Sequence, residues 1–112
     1  MEKVIGKIAS IGVPSLIIMV VINTTGLVGA AAITTALAAI GPAGMIGGVI
    51  TLLAIGTISS AISEYGFEKV YGATVLQLYK QGETKESIVS KINKYPVSKS
   101  LKLKLIDMLN NR

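Results

Sequence analysis

The side chains that could do chemistry are few. The chain has no cysteine and no histidine, and its carboxylates are Glu2, Glu64, Glu68, Glu83, Glu86 and Asp107. Without thiols there can be no disulfide and no thiolate-held metal. Without imidazole the commonest general base and metal ligand is missing. Lysines, tyrosines, hydroxyls and scattered acids remain, at no spacing that makes a catalytic triad, a phosphate loop or a metal set. Gly47 and Gly48 adjoin within an apolar stretch, which rules them out as a phosphate cradle. No enzyme is expected, and neither a cofactor nor a metal.

Two other residue types recur with spacing. Hydroxyls occur at Thr24, Thr25, Thr34, Thr35, Thr51, Thr57, Ser59, Ser60 and Ser63. Each either bonds back to its own helix backbone or lines a narrow polar pathway in an oligomer; Asn23, Thr34, Thr51 and Ser59 are the candidates for that pathway. Small residues form ridges: Gly26, Ala30, Thr34 and Ala38 recur every fourth position. Gly44, Gly48, Gly56 and Ser60 follow the same spacing, broken only at Leu52. Such ridges let helix backbones approach closely, which matters in lipid, where burying leucine between helices gains little.

The elements that carry these residues are set by charge. Only Glu2, Lys3 and Lys7 are charged in residues 1–63, and from Ile8 to Ser63 no charge occurs at all. A helix crossing a hydrocarbon layer of about 30 Å needs roughly 20 apolar residues. The run has room for two crossings and a turn. A small helical domain in water would place lysines and glutamates at helical period along its outer faces, and no such face occurs here. A secretory signal would have a far shorter apolar core, and a hairpin buried in a soluble protein would need a larger partner or self-association to cover it. Tyr65, Phe67 and Tyr71, the first aromatics in the chain, arrive just where the run ends. They read as anchors at a headgroup boundary, or else as a local packing cluster.

The expected fold is all-α: a membrane-embedded helical hairpin of two spans, or three, with a long emerging helix and a small C-terminal helical hairpin. Gly41 and Pro42 mark the turn between spans. Upstream, residues 11 to 40 form either one kinked helix or two short segments, since Asn23 to Gly26 interrupt the apolar run. Downstream, helix is expected from about Ala43 to Lys80, continuous or nearly so. The chain divides accordingly into an apolar region at 1–63, an amphipathic emerging helix at 64–81 and a basic tail at 82–112.

In the tail, Gly82 ends the long helix. Thr84 suits an N-cap, with Glu86 in the first turn. Ile88, Val89, Ile92 and Tyr95 share a face; Pro96 breaks the helix and Ser98 caps the next. Leu101, Leu105, Met108 and Leu109 then share another face. Lys91, Lys94, Lys99, Lys102 and Lys104 form a basic set, read as a solvated face or as a contact for anionic lipid or a partner. Nucleic acid is not expected, because the only arginine is Arg112 and no side chain is placed to read bases.

In layout, an apolar hairpin followed by a compact basic tail resembles small holins and other membrane effectors. The expected function is a homo-oligomeric channel or pore-like effector in a lipid bilayer, with the tail as gate or scaffold. The alternative is a membrane anchor whose tail binds a partner protein. A third reading is a soluble protein that stores its apolar hairpin within an assembly and inserts it on a trigger. Charge bias does not decide the topology, but basic residues at both ends slightly favour both termini, and so the tail, on the cytoplasmic side of a bacterial-type membrane.

Overall fold

The structure, a computed structural model, describes residues 1–25, 48–94 and 99–111, with the side chains of 24, 25 and 48–54 excepted. It is all-helical, with no strand among the described residues. In chain order the helices are α1 (Glu2–Ile11), α2 (Pro14–Thr25), α3 (Gly48–Tyr65), α4 (Phe67–Lys80), α5 (Lys85–Lys94) and α6 (Lys99–Asn110).

The chain opens on a helix of its own rather than on flanking residues of a span. In α1, Ile5, Ile8 and Ala9 are buried while Glu2, Lys3, Lys7 and Ser10 face out, a spacing that fits one helical stripe. Gly12 ends it with φ 91°, a left-handed conformation that glycine adopts without a Cβ clash. Pro14 then opens α2 at the first helical position, where its missing N–H is no loss. The Ser15 hydroxyl donates to Gly12 O at 2.7 Å and closes the corner. The two helix axes bend by 111° there.

The sequence of α2 is apolar all round, and its surroundings match. Every residue from Val13 to Ile22 is buried except Pro14, which is half-buried. Helices α1, α3, α4 and α6 all pack against it. Enclosing each of these Leu, Ile, Val and Met side chains stabilises the fold by about 1.5–3 kcal/mol. That matters because Ile17–Ile22, β-branched at every position but Met19, has only modest helix propensity of its own.

The expected continuous helix to Lys80 is broken once. Gly66 takes φ 89° between α3 and α4, the same left-handed solution as at Gly12, and the two helices then pack on each other. In α4, Val70, Tyr71, Thr74, Val75 and Leu78 form the buried stripe. The Thr74 hydroxyl bonds back to Val70 O at 2.8 Å, so its burial leaves no unmet donor. α1 lies along α4, joining two segments far apart in sequence.

The tail follows its sequence closely. Gly82 takes φ 103° after α4, and Glu83 N–H reaches back to Leu78 O at 3.0 Å. Thr84 caps α5: its Oγ1 accepts from Ser87 N–H at 3.1 Å, while Thr84 N–H donates to Ser87 Oγ at 2.8 Å. This is a reciprocal cap with serine in the position usually held by glutamate. Ile88 and Ile92 are fully buried and Val89 half-buried; Leu105 and Leu109 are buried, with Leu101 and Met108 partly so. α5 packs on α6, and α6 on α2. Tyr95, Pro96 and Ser98 lie outside the described residues.

Candidate functional site

The acids do not converge. Glu2, Glu64, Glu68, Glu86 and Asp107 are exposed on separate helices or turns, and among the described residues no three His, Cys, Asp or Glu are placed to share a metal ion. The positions with functional potential are therefore the small-residue face, the enclosed hydroxyl and the basic tail.

On α3, Gly56 and Ser60 stand one turn apart, and both are exposed together with Ser63. A Cβ at Gly56 would meet nothing within 4 Å. The downstream ridge thus presents an open face at these two positions. Gly48 is the first residue of α3. Gly26, Ala30, Thr34, Ala38 and Gly44 lie outside the described residues, as does the Gly41–Pro42 turn.

Ser59 sits beside that face. It is half-buried, and its Oγ is enclosed with no hydrogen-bond partner among the described residues. A buried hydroxyl without a partner is destabilising. Of the other pathway residues, Asn23 is exposed near the C-terminal end of α2, Thr51 lies in α3, and Thr34 falls outside the described residues.

Of the three aromatics, Tyr65 and Phe67 are half-buried and Tyr71 is fully enclosed. Phe67 and Tyr71 pack with ring centroids 5.4 Å apart. For Tyr71 this is the packing arrangement, and in this fold its ring does not reach the surface.

The tail lysines divide by partner. Lys91 pairs with the carboxylate of Glu83. Lys102 Nζ donates to Asn93 O at 2.9 Å and so ties α6 to α5. Lys94, Lys99 and Lys104 are exposed. Leu103, between Lys102 and Lys104, is 58% exposed. It lies off the Leu101–Leu105–Met108–Leu109 stripe, and the sequence marked it only by being out of register with that stripe. The Lys91 hydrogen bond, then that from Ser87, holds the Glu83 carboxyl below its ordinary value against a smaller opposing effect of burial.

Sequence reasoning missed one feature. A groove of about 400 Å³ opens between α1 and α4, bordered by Glu2, Ile5, Gly6, Leu76, Gln77 and Lys80. The signal for it was Gly6 in the middle of an otherwise good amphipathic helix.

No single helix among the described residues is long and apolar enough to cross a membrane. α1 and α2 pass that test together, as a bent pair. No family model matches the chain, and no curated protein or solved structure matches it either.

Proposed function

We propose that the chain acts in a lipid bilayer, as a small integral membrane protein that assembles with copies of itself into a channel or pore-like effector. The observation that carries this reading is the absence of any charge from Ile8 to Ser63. A stretch of that length without a lysine or glutamate has no face written for water. The open Gly56–Ser60 face supports close helix approach between copies. The unpartnered Ser59 hydroxyl would gain a partner, or line a pathway, in such an assembly. The basic tail, tied together by the Lys102–Asn93 bond, serves as scaffold or gate on the cytoplasmic side.

A second reading has its own observation. Because α2 is enclosed by four helices of the same chain, the described arrangement suits a stored form whose apolar helix is released into lipid on a trigger. Release would exchange protein contacts for lipid contacts of similar apolarity, so its balance is set by a few kcal/mol, as for other two-state elements.

Leakage of ions and solutes from liposomes reconstituted with the full-length chain, beside a Gly48→Leu variant, tests the pore. Leakage by the parent and not the variant is the expected result. Tight liposomes holding correctly inserted parent protein would overturn the pore and favour an anchor whose tail binds a partner. Recovery of the protein in the supernatant after an alkaline wash would favour the stored form.

A further inference from the structure

The corner between α1 and α2 is short and is closed by local bonds. Only Gly12 and Val13 lie between the end of one helix and the start of the next. Gly12 N–H donates to Ala9 O, Ser15 N–H to Gly12 O and Leu16 N–H to Val13 O, each at 3.0 Å. Each of these bonds reaches back three residues, where a continuous α-helix reaches back four. Moving every acceptor one residue toward the N-terminus would straighten the chain and lose none of them. The Ser10 hydroxyl bonds to Lys7 O and the Ser15 hydroxyl to Gly12 O, so both are satisfied inside the segment, as a helix in lipid requires. Pro14 would leave a kink and deprive Ser10 O of its usual donor. Membrane helices accommodate that through neighbouring helices and side-chain hydroxyls.

Bent by 111°, neither arm is long enough to cross a bilayer, yet the two pass the length and hydropathy test together. Ile8 to Thr25 carries no charge. As one helix that stretch is about 18 residues and about 27 Å long, close to a hydrocarbon layer of about 30 Å. Glu2, Lys3 and Lys7 fall in the turns just before it, where they would stay among the headgroups. The bend itself is held at Gly12, whose φ 91° and ψ −156° are open essentially to glycine alone. Opening would draw Ile5, Ile8 and Ala9 off α3 and α4, and lipid would cover them and the all-apolar α2 in place of protein.

We propose that Gly12–Pro14 is a hinge. In a bilayer the corner opens, and α1 and α2 become one kinked, membrane-crossing helix from Glu2 to Thr25; the bent arrangement is the stored form. The inference rests on the membrane setting proposed above, and names the segment that crosses and the joint that lets it do so.

The chain has no cysteine, so Lys3→Cys combined with Asn23→Cys places two spin labels at exposed positions near the far ends of the pair. At 1.5 Å per residue their backbone separation is roughly 15–20 Å across the corner and about 30 Å along one helix. The full-length labelled chain is measured in a lipid-free amphipathic polymer and in phosphatidylcholine–phosphatidylglycerol vesicles after an alkaline wash. The short distance is expected in the polymer and the long one in the washed vesicles. Gly12→Ala is strained in the corner but not in a helix, and should raise the ratio of long to short distances in the polymer about ten-fold.

The short distance in washed vesicles would overturn the hinge while leaving the membrane setting intact. The long distance in both media would show one continuous helix and no joint. Loss of the labelled chain to the wash would remove the membrane setting and the hinge with it. A folded Gly12→Ala variant with the parent's ratio would overturn Gly12 as the joint; if that variant does not fold, the parent's two distances decide alone.

Discussion

Lys91, on the exposed side of α5, donates to the carboxylate of Glu83 in the turn that leads into the same helix. Ser87 Oγ donates to the other oxygen of that carboxylate at 2.6 Å. The pair and the Thr84 cap together fix how the tail leaves α4. Because Glu83 titrates below its ordinary 4.5, the pair's contribution is fully present above that value and is lost as pH falls through the lower, folded one. The size should be that of a surface pair, about 0.2–1 kcal/mol, since the Lys91 side chain is 51% exposed. Amide exchange at Ser87 and Ile88, followed from about pH 6 to about pH 3 with intrinsic rates corrected, should show protection falling at the acid end. In Glu83→Gln that acid-dependent loss should disappear; an unchanged profile would mean that other carboxyls cause it.

The cap itself is separable from the ion pair. Thr84→Ala removes the acceptor for Ser87 N–H and should destabilise α5 by about 1 kcal/mol. Exchange at Ser87 should quicken correspondingly, while amides in α1 and α2 stay as protected as in the parent. Equal quickening throughout would show that the tail and the rest open as one unit.

Two glycines give opposite expectations for the same substitution. Gly66 has φ 89° and ψ 151°, a region open essentially to glycine alone, so Gly66→Ala strains the backbone and should cost about 1–3 kcal/mol. Gly56 is helical with open space at its Cβ, so Gly56→Ala should be neutral or stabilising by up to about 1 kcal/mol. Thermal midpoints of the two variants decide it. Loss of stability at Gly56 as well would show that a partner helix already occupies its face under the conditions used, and the oligomer size would then fall in parallel.

Ile17 and Leu76 are both large and apolar, at 0% and 61% exposure. Ile17→Ala should cost about 2–5 kcal/mol through lost burial and the cavity left behind. Leu76→Ala should stay within about 0.5 kcal/mol. If Ile17→Ala proves mild in a lipid-reconstituted sample and severe in a lipid-free one, α2 has exchanged its protein shell for lipid, as the stored form requires.

Ser59 separates structure from conduction. Removing its enclosed, unpartnered hydroxyl in Ser59→Ala should leave stability unchanged or raise it by up to about 1 kcal/mol. A pathway that uses this hydroxyl would lose conductance in the same variant. Unaltered leakage from liposomes would take Ser59 out of the pathway.

Local signals were legible in the tail and at the helix ends. Gly82, Thr84 and the Ile88–Ile92 and Leu105–Leu109 pairs lie within a few residues of what they stop, cap or bury, and helical period alone places them. Gly66 was visible as a glycine but not as a break, because a glycine in an amphipathic pattern can stay helical. Whether it turns depends on where the following helix finds its cover. Gly12 is the same case, and the separate α1 went unread for that reason.

What the sequence determined by itself is the α class, the charge-free span from Ile8 to Ser63 and the faces of the tail helices, because each follows from spacing along the chain. Only the tertiary structure decided that α1 lies on α4, leaving the groove over Gly6, and that α2 is covered by its own chain in this arrangement. The physical reason is that the hydrophobic effect has no direction. An all-apolar helix requires that water be excluded, and the identity of what excludes it is settled by contacts between segments far apart in sequence.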